Sequence, residues 1–165
     1  MLYQLLTRLD EKFGFERAKA HCDIPCGIYD PSAAQIAALT VIRMIDLMSD
    51  LAAKGGQDLA AMNSMARYIA SKEEHAEKAK HEVRVIWGDY IKPDHISKYP
   101  ELPELAHKIM MLGSKARQTV DRQQALDLLN AINQFAEIFW ATKGVATKRA
   151  KAPYLPGEEV VYPAL

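Results

Sequence analysis

The chain is short of several things, and each shortage closes off a class of function. Its 21 Lys+Arg balance 21 Asp+Glu, so it carries no net charge. No local basic run compensates, and such a surface gathers neither nucleic acid nor anionic lipid. No apolar run approaches the roughly 18 residues that cross a bilayer, so no membrane partner is expected. The sequence has no Gly-rich phosphate loop, no His-Glu-x-x-His and no Gly-x-Ser-x-Gly elbow, the signatures of phosphate-binding, zinc-protease and serine-hydrolase sites. It has neither an internal repeat nor a low-complexity segment. Cysteine is scarcest of all: Cys22 and Cys26 are the only two in 165 residues.

What is present describes one ordinary helical domain. A 49% hydrophobic, 25% charged composition is that of a globular protein, and this length supports one core. After the boundary residues Asp30, Pro31 and Ser32, the residues Val41, Met44, Ile45, Met48 and Leu51 recur at helical spacing. Gly55-Gly56 ends that helix. A second follows, with Leu59, Met62, Ala66, Ile69, Ala76, Ala79, Val83, Ile86 and Tyr90 on one stripe, until Pro93 stops it. "KPDHISKYPELP" is expected to be a loop. Leu102, Leu105, Ile109 and Leu112 mark a third helix ending before Gly113, and Ala125 to Phe139 a fourth. The tail "KAPYLPGEEVVYPAL", with three prolines and a glycine, is expected to wrap the surface without regular structure. Nothing reads as paired strands. The fold class expected is all-α: an antiparallel four-helix bundle over 32–143, preceded by an irregular segment and followed by an extended tail over 144–165.

A bundle invites a di-iron carboxylate site, which needs two Glu-x-x-His motifs. Glu104-Leu-Ala-His107 is the single copy, so that reading fails. His75 and His81 are six apart and do not share a helical face; with Glu77 they fit a solvated surface. His95 falls in the expected loop and offers nothing.

"AKAHCDIPCGIYDP", residues 18–31, survives this sieve. A Cys22–Cys26 disulfide is disfavoured because the first twenty residues lack the uninterrupted apolar stretch of an export signal: Arg8 breaks it. Thiols in a reducing, cytoplasmic setting stay free. Two thiolates beside an imidazole suit zinc, copper or nickel, although Cys-x-x-x-Cys alone is a weak signal. Ala18 and Ala20 occupy the −3 and −1 positions that a signal-peptidase-like protease prefers. The alternative is that 1–20 form a first helix ending in Ala-Lys-Ala. If the Ala20–His21 bond is cut, His21 gains a free α-amine. That amine, the Cys22 backbone nitrogen and the two thiolates then form a square-planar set, with the His21 ring as an axial fifth ligand. This donor geometry points to Ni(II) or Cu(II).

"HCDIPCGIYDP", residues 21–31, resembles the nickel-binding hook of the nickel superoxide dismutases at every fixed position of the pattern H-C-D-x-P-C-G-x-Y-D-P. "KEEHAEKAKHEVRVIWGDYIKPDHISKYPEL" is similar to that family's second helix and following loop, and "IFWATK" to its last helix. The resemblance runs from His21 to about Lys143. It implies a helical bundle assembled as a homohexamer, with one nickel ion per subunit. It also implies a leader over 1–20 that a maturation peptidase removes before His21, and superoxide as substrate. By resemblance the metal ligands are the His21 amine and imidazole, the Cys22 amide nitrogen and thiolate, and the Cys26 thiolate. Tyr29 and Asp23 are the candidate catalytic residues: Tyr29 lines the mouth of the site, and Asp23 shapes the hook. Pro25, in a cis peptide, also shapes it, and Gly27 permits the turn after Cys26. Arg67 matches an arginine that approaches the axial histidine. Tyr90 and Lys92 match residues near the substrate entrance, although Tyr90 equally fits the apolar stripe of its helix. A glutamate that orients the imidazole in the family is replaced here by Ala37. The reading weighed against this enzyme is a helical metal carrier or thiol-redox protein that uses Cys22 and Cys26.

Overall fold

A computed structural model describes residues 26–165. Its elements in chain order are α1 (Ser32–Ala53), α2 (Leu59–Val85), a π-helical turn (Ile86–Tyr90), α3 (Pro93–Lys98), α4 (Leu102–Gln118), α5 (Arg122–Thr142), β1 (Thr147–Lys151) and β2 (Glu159–Pro163). The four long helices close a ring. Each of α1, α2 and α4 packs on the next, and α5 returns to α1.

Local chemistry sets the ends of these helices. The Asp30 carboxylate accepts from the Ser32 N–H at 2.7 Å and opens α1. Asp58 accepts from the Ala61 N–H and Asp121 from the Gln123 N–H, satisfying orphan donors of α2 and α5. Gly55, at φ +67°, supplies the left-handed turn that stops α1. On α1 the buried stripe is Ala34, Ala37, Ala38, Val41, Ile42, Ile45 and Met48, so the core face sits slightly to one side of the expected Val41–Leu51 set. Phe135 and Phe139 of α5 are the largest fully buried side chains.

The second stripe is only half a core face. Ala76, Ala79, Val83 and Ile86 are buried, but Leu59 and Met62 are 83% and 63% exposed, and Ile69 is exposed as well. The reason is the length of the neighbour. The buried Lys72 ammonium donates to the carbonyls of Ala116, Arg117 and Thr119, the last acceptors at the C-terminal end of α4. Before Lys72, α2 has run past the end of α4 and has no α4 surface to cover it. Burial pulls the Lys72 ammonium below its ordinary pKa, with Glu73 opposing and Arg117 assisting. Glu77 is held below the ordinary carboxylate range, first by its hydrogen bond from Arg84.

Three expectations are corrected. Gly113 does not end α4, which continues to Gln118. A Cβ at Gly113 would stand 2.5 Å from the Lys80 Cγ, so the glycine serves a close crossing of α2 over α4. The expected loop contains the short helix α3. The tail is not irregular: β1 and β2 pair antiparallel, with Arg149 opposite Val161. The prolines and glycine lie in its connecting turn and at its end, while Ala152, Val160 and Val161 are buried against the bundle. A buried polar clamp docks β2. The Gln35 amide donates to Asn133 Oδ1 (2.9 Å) and to the Val161 carbonyl (3.2 Å), and Asn133 donates to the Glu159 carbonyl (2.8 Å). Arg122 adds bonds to Asp46 of α1 and to Glu158 beside β2.

Candidate metal centre

His21, Cys22, Asp23 and Pro25 lie outside the described residues, as does the Ala20–His21 bond. The described part of the hook begins at Cys26, an exposed, free thiol. Gly27 follows at φ +70°, a backbone conformation that L side chains rarely adopt, and nothing lies within 4 Å of where its Cβ would stand. Conformation, not crowding, is therefore what asks for glycine there. Ile28 is 80% exposed. Tyr29 is the first of the described hook residues to dock, half-buried with its ring centroid 5.5 Å from that of Tyr90. Three residues span at most about 10 Å, so the Cys26 thiol is held near this ring pair.

Tyr90 sits at the end of the π-helical turn in a closed set of contacts. Its ring lies 5.0 Å from Phe139 and stacks on His95 at 5.2 Å with an interplanar angle of 26°. Its hydroxyl pairs with Thr142 Oγ1 at 2.8 Å. The Lys143 ammonium stands 4.8 Å above the Tyr90 ring and 5.2 Å from that of Phe139, a cation–π arrangement. Lys92 is exposed two residues beyond Tyr90, and its backbone N–H donates to His95 Nδ1 at 3.2 Å. Tyr29, Tyr90 and Lys92 thus come to one end of the bundle. His95, unremarkable in the sequence, belongs there too, as does Lys143. Neither was legible because only the fold of α3 and the end of α5 bring them to Tyr90.

Arg67 lies far from Tyr90 along α2, and the His21 ring it was expected to approach lies outside the described residues. Arg67 is exposed on α2, 23 residues before Tyr90 on one continuous helical run. At about 1.5 Å per residue that separates the two by roughly 34 Å. Ala37, where the family has a glutamate, is 1% exposed and belongs to the hydrophobic core.

Among the described residues no three His, Cys, Asp or Glu side chains gather around a common point. Beside Cys26 in the sequence, residues 21–25 supply one more thiol and one imidazole. That soft N/S set fits nickel or copper and does not fit magnesium or calcium.

Comparison with known proteins agrees with this chemistry. The family model described as nickel-containing superoxide dismutase matches residues 16–143. The nickel superoxide dismutase of Streptomyces coelicolor is 41% identical over 124 residues, 75% of this chain and 88% of that protein. That of Streptomyces seoulensis is 38% identical over 127 residues, 77% and 91%. A native nickel superoxide dismutase structure superposes with a TM-score of 0.65 at 40% identity, covering 74% of this chain and 99% of that one. An apo structure gives 0.64 at 37% identity, covering 72% and 99%. The family match stops at Lys143, so the β1–β2 hairpin lies outside it.

Proposed function

The chain belongs to the nickel-containing superoxide dismutase family, an oxidoreductase with nickel as its cofactor, and from that premise we propose a precursor that becomes active when the Ala20–His21 bond is cut. Cleavage converts the His21 nitrogen from an amide into a primary amine. Residues His21, Cys22 and Cys26 then hold the metal through the amine and imidazole, the Cys22 amide nitrogen and thiolate, and the Cys26 thiolate. When bound there, nickel supplies a one-electron couple, Ni(III)/Ni(II).

The substrate is superoxide. One superoxide gives up an electron and leaves as dioxygen; a second takes one electron and two protons and leaves as hydrogen peroxide. The chain's own residues arrange this. Gly27 turns the backbone after Cys26, with Asp23 and Pro25 shaping the loop before it. Tyr29, docked on Tyr90, narrows the approach to the hook so that a small anion is favoured. Lys92 and Lys143 place positive charge at this end of the bundle, which draws anions towards it. Reduced thiols fit a cytoplasmic location, and the exposed Leu59 and Met62 give a homohexamer an apolar surface to cover.

The observation that supports this reading is the docking of Tyr29 on Tyr90, which sets the described end of the hook motif against an aromatic wall three residues from Cys26. The test compares two versions of the chain, one beginning at Met1 and one at a native His21, in nickel content and in superoxide disproportionation. The His21 version is expected to bind one nickel per subunit and to be active. The Met1 version is expected to do neither until a maturation peptidase acts. Equal nickel and equal activity in both would remove the role given to the free amine.

A further inference from the structure

The hydrogen bonds around Tyr90 leave one arrangement of protons. Thr142 Oγ1 donates to the Phe139 carbonyl at 2.6 Å. A threonine hydroxyl has a single proton, so in its 2.8 Å contact with Tyr90 the Thr142 oxygen accepts and the phenol donates. The relay runs from Tyr90 to Thr142 to the backbone of α5. The ring is fixed independently by stacking on His95, whose Nδ1 is itself held by the Lys92 N–H, and by packing on Phe139.

We propose that Thr142 is a positioning residue for the entrance: it accepts the hydrogen bond of the Tyr90 hydroxyl and locks the ring that Tyr29 docks against. This rests on the reading of Tyr90 as an entrance residue. It has a chemical consequence. Peroxide formation consumes two protons, and the Tyr90 O–H points at Thr142 rather than at an incoming anion. Towards solvent or an incoming anion the phenol oxygen offers only lone pairs. Tyr90 therefore selects by shape and acts as a wall rather than an acid.

Ultraviolet resonance Raman on the full chain tests the bond directly, since the tyrosine Fermi doublet separates a donating phenol from an accepting one. The difference between wild type and Tyr90→Phe isolates the Tyr90 signal, which is expected to be that of a donor. Thr142→Val, close in shape, is expected to abolish that signature, and Thr142→Ser to keep it. In the mature, nickel-loaded enzyme, Thr142→Val is expected to lower kcat/KM about fivefold with kcat unchanged, as loss of one ordering hydrogen bond does. Thr142→Ser should restore it, and Thr142→Val combined with Tyr90→Phe should be no worse than either alone. An accepting phenol in the wild type, or additive losses in the double variant, would overturn the proposal. If Tyr90→Phe leaves kcat/KM untouched, the entrance reading fails, and the Raman result still decides the direction of the bond.

Discussion

The hook at residues 21–31 and the hairpin at 147–163 stand at opposite ends of the described chemistry. The hook concentrates the chain's whole cysteine allowance, an imidazole and two prolines into eleven residues, and of its described part Cys26, Gly27, Ile28 and Asp30 are exposed, with only Tyr29 and Pro31 covered. The hairpin carries no cysteine or histidine. Yet it buries Ala152, Val160 and Val161 and is clamped by two buried amides. One segment is specified by donor atoms and little packing, the other by packing with no reactive group. Chemistry and stability are therefore separable in this molecule, and substitutions at the two ends should report on different quantities.

Cys26→Ser tests the hook end, with the largest expected effect. Metal analysis should find nickel lost and superoxide disproportionation abolished, because a hydroxyl does not replace a thiolate donor for this metal. Its thermal midpoint should match that of metal-free wild type, since the thiol is exposed. The hairpin should behave in the opposite way. Gln35→Leu and Asn133→Leu each leave a buried partner unsatisfied and should cost about 1–3 kcal/mol in denaturant unfolding, at unchanged nickel content. Together they should cost less than the sum, because the two share one bond. Nickel loss in either single variant would mean that the hairpin braces the hook, and the separation would fail. The smallest effect belongs to Arg149→Ala, which breaks a two-bond contact with Glu137 at the hairpin surface. Both side chains are about a third or more exposed, so solvent screening should hold the change to about 0.5 kcal/mol.

How much was legible follows the same division. The family could be read from the hook because its pattern is a matter of residue type and spacing alone, and no contact elsewhere is needed to recognise it. The helices could be read where apolar spacing met a neighbour, as at Ala76, Ala79 and Val83. The same spacing misled at Leu59 and Met62, because periodicity gives a helix its apolar side but not the length of the helix beside it. Gly113 misled for a related reason. Its effect on the backbone is local, but its purpose is the passage of the Lys80 side chain. The hairpin was missed because its strands are short and flank a turn rich in proline and glycine. Its two adjacent buried valines do not alternate, and the partners that hold it, Gln35 and Asn133, come from distant helices. Arg67 was placed by pattern alone, and α2 holds it far from Tyr90.

By itself the sequence determined the groups on which the proposed metal site rests: two thiols, one imidazole and a glycine able to turn between the second thiol and the tyrosine. These are properties of covalent chemistry and of backbone conformation at single residues, and they need no partner from elsewhere in the chain. Only the tertiary structure decided what surrounds that set. The stacking of His95 on Tyr90, the Lys143 ammonium above the ring, the Thr142 relay and the capping of α4 by Lys72 each join residues far apart in the chain, and their contacts exist only once the helices have packed.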